Sequence, residues 1–328
     1  MAKFLLRRLV NYVLLVAVAT SLAYLLAASA LHPRVNYEGR SPRPSAAVID
    51  AKLTALNLND KTPLWERYGT WATGVLHGDF GRTWLGEPVN AEIARRFGVT
   101  LRLLVTGMVV GGAVGVLLGA LSAVRQYRPT DRLITAGSFL IMSIPVFVLG
   151  VLLQVGATKL NDVTGVKIFE FSGEYAAGLP GGFWAQLADR LKHLVLPSIS
   201  LALGQIAVFS RYQRSAMLDV MAADFVRTAR AKGLRRRTAL LRHALRTALI
   251  PSVTYFTYTF GILLVGTTLT EKIFGWHGLG EWFVDSVGQN DVNAVAAVNC
   301  VAAVLVLVAG LASDLVYAVL DPRVRVGT

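Results

Sequence analysis

The residues able to do chemistry are few and far apart. Five histidines, His32, His77, His193, His243 and His277, show no H-E-x-x-H pairing that would hold a metal, and no serine elbow accompanies them. The single cysteine, Cys300, lies inside an apolar run, which excludes a disulfide framework and a cysteine metal site. No G-x-x-x-x-G-K-[S/T] loop is present to cradle phosphates, so nucleotide hydrolysis by that route is excluded. The pattern therefore names no catalytic residue, no metal ligand and no cofactor held by the chain itself. What remains is non-covalent chemistry in two places. Ser200, Gln205 and Ser210 in one apolar stretch, and Tyr255 and Tyr258 in another, carry groups that can hydrogen-bond a polar solute in passage or a neighbouring helix. A basic segment, DFVRTARAKG from Asp224 to Gly233, can bind anionic lipid or dock into a partner; on the residues alone both readings stay open.

The elements that must position these residues are membrane helices. The chain has 328 residues, 54% hydrophobic and 16% charged, with a mean hydropathy of +0.52, too apolar for an ordinary soluble domain. A bilayer core about 30 Å thick needs about 20 mostly apolar residues per helical crossing. Six stretches qualify: 9–31, 101–124, 137–158, 194–217, 250–270 and 294–313. None contains Asp or Glu, which argues against a proton-driven carrier, and no filter-like loop suggests an ion channel. Residues 1–31 form a cytoplasmic N-terminus and first span, 32–98 an external segment, and 99–328 the core with the other five spans. A cleaved signal ending at Ala28-Ser29-Ala30 is disfavoured because the first apolar run is too long.

Charge sets the orientation. With both termini on one side, that side collects 18 of the 33 Lys and Arg but only 5 of the 20 Asp and Glu, so the whole net charge of +13 lies on one face. By the positive-inside rule this face is cytoplasmic. The basic excess is thereby a matter of topology and not of nucleic-acid binding. Along the second span Gly107, Gly111, Gly115 and Gly119 recur every fourth residue, so a neighbouring backbone can approach closely. Packing inside one bundle is the plainer reading, dimerisation the other.

In the external segment a short helix is expected over Ala46 to Leu56, and Trp71 and Trp84 suggest pieces lying at the membrane surface or over the outer mouth. Trp276, in the glycine-rich stretch after the fifth span, is assigned there too. The cytoplasmic loop 218–249 reads as two short helices joined at Gly233, with Asp224 capping the first and Gly233 closing it in a left-handed turn, before Pro251 opens the fifth span.

With these segments in place, the chain resembles the membrane permeases of the bacterial oligopeptide/dipeptide ABC importer family nearly end to end. The matching pieces in order are FLLRRL at Phe4, GDFGRTW at Gly78, SIPVFVLG at Ser143, HLVLPSISLAL at His193, DFVRTARAKGL at Asp224, RHALRTALIP at Arg242, EKIFGWHGLGEWFVDSV at Glu271 and DLVYAVLDPRVR at Asp314. The family's E-A-A-x-x-x-G coupling loop corresponds to RTARAKG, with Arg227 in the glutamate's place, Ala229 at the last alanine and Gly233 at the glycine. The resemblance implies an all-α, six-span permease of the type I ABC importer fold in the inner membrane. It implies that Asp224, Phe225, Arg227, Ala229, Arg230, Lys232 and Gly233 form a coupling helix seated on an ATP-binding subunit. It also implies a second, related permease chain, two ATP-binding subunits carrying ATP and Mg, and an external peptide-binding protein. Nickel or another small solute is carried by relatives within the same family.

Overall fold

The computed structural model describes residues 2–176, 178 and 181–320, without the side chains of 2–7, 236, 237, 242, 254, 257, 258, 262, 265 and 313–320. The described residues are almost wholly helical, and an isolated bridge between Arg82 and Pro88 is their one piece of strand pairing. The helices in order are α1 (Ala2–Ala30), α2 (Val35–Glu38), α3 (Ala46–Ala55), α4 (Leu64–Leu76), α5 (Val89–Val124), α6 (Pro129–Ser143), α7 (Val146–Thr164), α8 (Phe183–Met221), α9 (Asp224–Ala231) and α10 (Arg236–Ala239). A π-helical turn (Leu240–Ala244) leads into α11 (Leu245–Phe274), followed by α12 (Leu279–Gly288) and α13 (Val292–Leu320).

Among the described residues five helices, α1, α5, α7, α8 and α13, are long and apolar enough to cross a membrane. The fifth sequence-predicted span, 250–270, lies within the 30-residue α11. The third stretch, 137–158, is not one helix. The chain turns extended at Ile144 (φ −102°, ψ 124°) ahead of Pro145, which heads α7. A proline disfavours helical geometry in the residue before it, and this breaks the apolar run into α6 and α7. Pro251, by contrast, opens no new helix: it lies inside α11. Neighbouring helices let a spanning segment keep an internal proline, and the irregularity appears upstream as the π turn.

Two compact units are built from the chain: 1–100 with 277–308, and 101–276 with 309–328. In the first, Tyr37, Ile49, Leu53, Leu58 and Trp71 of the external segment bury against Tyr24 of α1 and Val292, Val295 and Ala296 of α13. The segment thus has no separate core; it is held on the ends of two spanning helices. Asp291 supports the same place: its carboxylate accepts the Trp84 N–H at 3.0 Å and the Ala294 N–H at 3.1 Å, the latter at the start of α13. Burial pushes this carboxyl up to about 6.

In the second unit the glycine stripe of α5 meets α8. A Cβ at Gly107, Gly111 or Gly115 would lie under 3.0 Å from the Cβ of Leu201, Gln205 or Phe209, and one at Gly119 would collide with the Ser210 carbonyl. The four-residue period of one helix is therefore matched by a four-residue period on the other, and the backbones close to a distance no side chain would permit.

Candidate coupling and translocation sites

The short helix α9 has two unlike faces, with Val226 and Ala229 buried and Phe225, Arg227 and Arg230 exposed. It ends in a Schellman motif: Gly233 takes φ +88°, its N–H donates to the Arg230 carbonyl at 3.0 Å, and the Leu234 N–H donates to the Ala229 carbonyl at 3.3 Å. The left-handed turn at Gly233 is thus as the sequence implies. The other end differs. Asp224 does not cap α9; it is the first helical residue, and Ala223 precedes it without a side-chain cap bond. Its carboxylate instead receives Arg227 Nη1 at 3.4 Å, in a pair almost fully in solvent, and stays where the helix dipole favours negative charge.

The inner face of α9 is Val226 and Ala229. Val226 is buried in one cluster with Ala123 from α5, Met217 from α8, Leu240 and Ala244 from the π turn and Ala248 from α11. The outer face carries Phe225, Arg227, Arg230 and Lys232, all exposed. Ala229, grouped by sequence with the coupling residues, therefore faces the chain's own interior, and only its neighbours are presented outward. The π turn Leu240–Ala244 heads α11, and π turns within helices often occur at functional sites.

A polar lock lies beside this floor. Asp131, in the first turn of α6, receives Arg214 of α8 in a two-pronged contact, Nε to Oδ1 at 2.8 Å and Nη2 to Oδ2 at 2.9 Å. The Ser122 hydroxyl of α5 donates to the same carboxylate, and the Tyr127 N–H reaches it at 2.8 Å from a turn in which Tyr127 adopts φ +63°. The Arg214 guanidinium is the main reason the Asp131 carboxyl titrates well below the usual range, against a burial effect that opposes it. Three helices are thereby tied at one acid. Sequence reasoning counted Asp131 and Arg214 only as loop charges. The available signal was an acid in an otherwise basic turn, with nothing to say which of ten arginines and lysines in 211–246 it would meet.

The residues read as lining a path separate into two groups. Ser200, Gln205 and Ser210 are buried between helices. Ser200 Oγ faces Gly150 of α7, Gln205 packs on Gly111, and Ser210 shares a hydrogen bond of 2.9 Å with Ser138 of α6. Of the three, Ser210 ties α8 to α6, while Ser200 Oγ and Gln205 Oε1 are buried without a hydrogen-bond partner. Tyr255 is half-buried: it stacks on Tyr212 with ring centres 4.4 Å apart, and both border a cavity of about 460 Å³ lined also by Arg211, Phe139 and Thr135. The Arg211 guanidinium lies 4.2 Å over the Phe139 ring, a way to hold a cation where no acid pairs with it in the contacts described. The Tyr258 side chain falls outside the described residues. The three tryptophans assigned to the outer mouth are not alike. Trp71, stacked on Tyr24 at 4.4 Å, is a core residue, as is Trp276; Trp84 is half-buried and bonds Gln289 through its indole N–H at 2.8 Å. Large rings gain more from burial in helix junctions than from lying at a surface.

Residues 115–326 match the family model described as binding-protein-dependent transport system inner membrane component. The chain belongs to this family. It is 52% identical over 326 residues to the oligopeptide transport system permease protein OppB of Mycobacterium bovis, covering 99% of this chain and all of that protein. With the dipeptide transport system permease protein DppB of Escherichia coli it shares 34% identity over 276 residues, 80% of this chain and 81% of that one. Its fold matches the inward-facing MetNI methionine ABC transporter with a TM-score of 0.55 at 17% identity, covering 70% of this chain and 96% of that one. The chain is thus an all-α permease subunit of an ABC transporter, a transport component of the inner membrane. Permeases of this kind work with ATP-binding and substrate-binding partners. In this chain the stretch Asp224–Ala231 folds as α9, packed on the cluster that joins α5, α8, the π turn and α11.

Proposed function

We propose that this permease moves peptides across the cytoplasmic membrane by alternating access, driven through α9 by two separate ATP-binding subunits. The observation that carries the mechanical half is the two-sidedness of α9: a buried face of Val226 and Ala229, and an outward face of Phe225, Arg227, Arg230 and Lys232. A short helix with a closed C-terminus and one face locked to several helix ends acts as a lever. Phe225 fits an apolar groove on the ATP-binding subunit, and the three cations suit acidic groups at its rim. A push there reaches α8 through Met217 and α11 through Ala248, the two helices that carry Arg211, Tyr212 and Tyr255.

The peptide assignment rests on the named relatives and agrees with a roomy, aromatic and cationic cavity, which grips peptide bonds and carboxylates without demanding one sequence. A second, related permease chain completes the path, and an external binding protein delivers the peptide. ATP and Mg belong to the partner subunits. Both termini lie in the cytoplasm, as the one-sided positive charge requires. Gly233→Pro, which removes the left-handed closure and its N–H bond, and Arg230→Glu, which reverses an outward charge, are expected to leave the assembled complex in the membrane and abolish peptide-stimulated ATP hydrolysis. Unchanged stimulation in both variants refutes the coupling role of α9.

A further inference from the structure

We propose that Glu170, Asp189 and His193 form a binding site for a divalent transition ion of the Zn²⁺ type. In the sequence His193 belongs to no metal motif, and Glu170 stands 23 residues before it. The fold brings the three together in one unit, with one ligand atom from each lying within 4.8 Å of the others.

The geometry at His193 is that of a prepared ligand. The ring is 3% exposed, and Nδ1 lies 2.9 Å from the Asp189 main-chain carbonyl one turn earlier on α8. A carbonyl only accepts, so Nδ1 carries the proton and Nε2 presents its lone pair; this back-side bond is the usual way a protein orients a metal-binding imidazole. Across from Nε2, at 3.5 Å, is Oε2 of Glu170. Two lone-pair-bearing atoms at that distance repel unless a proton or a metal ion lies between them. Two ligands each about 2.1 Å from a tetrahedral ion are separated by about 3.4 Å, so the spacing suits a metal without rearrangement. The third group, Asp189, has Oδ2 engaged by the Ala176 N–H at 2.8 Å, and its Oδ1 lies 3.6 Å from His193 Nδ1, on the protonated edge of the ring, so its carboxylate must turn to join Glu170 on an ion at Nε2.

Glu170 is held in position from both sides. Before it, the Asn161 carbonyl oxygen accepts the N–H groups of Ile168 at 2.9 Å and Phe169 at 3.2 Å, while its Nδ2 donates to the Phe169 carbonyl at 2.8 Å. After it, the Gly173 N–H donates to the Phe274 carbonyl at 2.8 Å. A cavity of about 550 Å³ borders Glu170 and His193 and is lined by Asp162 and Ser172 as well, giving room for the waters that complete an ion's coordination. One imidazole and two carboxylates form a mixed nitrogen and oxygen set suited to Zn²⁺, Co²⁺ or Ni²⁺ in preference to Ca²⁺ or Mg²⁺. A bound ion would clamp the segment after α7 onto the first turns of α8, the helix that continues to Ser200, Arg211 and Arg214.

The test uses the assembled transporter in lipid nanodiscs, stripped with a chelator and titrated with Co²⁺. The expected result is the visible absorption of Co²⁺ in a low-symmetry nitrogen and oxygen site, saturating with a Kd of about 10 μM or below and displaced by Zn²⁺. His193→Ala is expected to abolish the band and Glu170→Gln to weaken binding at least about tenfold. Because Glu170 is partly exposed, its variant tests the site even where the histidine variant assembles poorly. Absence of the band in the wild-type complex overturns the proposal, as does a band that survives in Glu170→Gln at full strength. A wild-type complex that responds to pH through His193 but not to Co²⁺ or Zn²⁺ means that a proton occupies the place, and it overturns the metal assignment equally.

Discussion

Replacing Asp131 by Asn keeps the volume of the side chain and removes its charge, so it isolates the electrostatic part of the lock joining α5, α6 and α8. Asp131 accepts two charge-assisted bonds from Arg214, one from Ser122 and one from the Tyr127 N–H. Breaking a buried ion pair by removing one partner costs about 3–5 kcal/mol, because the remaining charge is left uncompensated. The Arg214 side chain retains 26% of its exposure, so water recovers part of that charge and the expected cost is at the lower end, about 3 kcal/mol. Unfolding of the purified permease in mixed detergent micelles, followed by tryptophan fluorescence, measures it. The double variant with Arg214→Gln should cost less than the sum of the singles by about 2 kcal/mol. Additivity within about 0.5 kcal/mol would mean that the two groups do not stabilise each other, and the reasoning fails. The pH dependence has a definite sign. A carboxyl whose folded pKa is depressed contributes fully above its unfolded value of 3.8 and loses that contribution as the pH falls through the lower folded value. The wild type should therefore weaken below about pH 4 more steeply than Asp131→Asn.

Gly115→Val should lower the thermal midpoint and the folded yield. Its Cβ would meet Phe209 Cβ at 2.6 Å and Ile206 backbone atoms near 3.1 Å, and such overpacking costs about 3 kcal/mol where no flexible chain end can yield. Gly137→Ala, with nothing within 4 Å of the added carbon, should be neutral or slightly stabilising in the same assay. For Asp291 the sign is opposite to that for Asp131. Its carboxyl rises from 3.8 to about 6 on folding, so stability is fullest below about pH 4 and falls by up to about 3 kcal/mol as the pH rises to about 6. Asp291→Asn should flatten that decline in denaturation midpoints taken from pH 4 to 7; an unchanged slope would show that the buried carboxyl is not its source.

Much of the architecture is written locally. A run of about 20 apolar residues specifies a spanning helix with little help from its neighbours, since a bilayer leaves backbone groups no other way to be satisfied. For this reason the spans were legible, and the left-handed closure at Gly233 was as well, because a turn of that kind depends on a few adjacent residues. Pro145 carried a local signal too, although hydropathy alone runs across it. The ordered motifs pointed to the permease family that the relatives then showed. None of this says which face of a helix will be covered.

The helical period makes Val226 and Ala229 neighbours of one another, yet only the meeting of α5, α8, the π turn and α11 turns them inward and leaves Phe225 and Arg230 outside. The glycine stripe promised a close approach and could not name α8 as the helix approached. Asp131 finds Arg214 at a separation of 83 residues, and Glu170 meets His193 only once the segment after α7 folds back on α8. Ser200 and Ser210, which could line a path on sequence grounds, are buried between helices, while Tyr255 borders a cavity. Apolar length and short-range turn chemistry act between adjacent residues and survive in a linear string. Burial, ion pairing and ligand geometry depend on which surfaces come together, and that is settled by the packing of helices far apart in the chain.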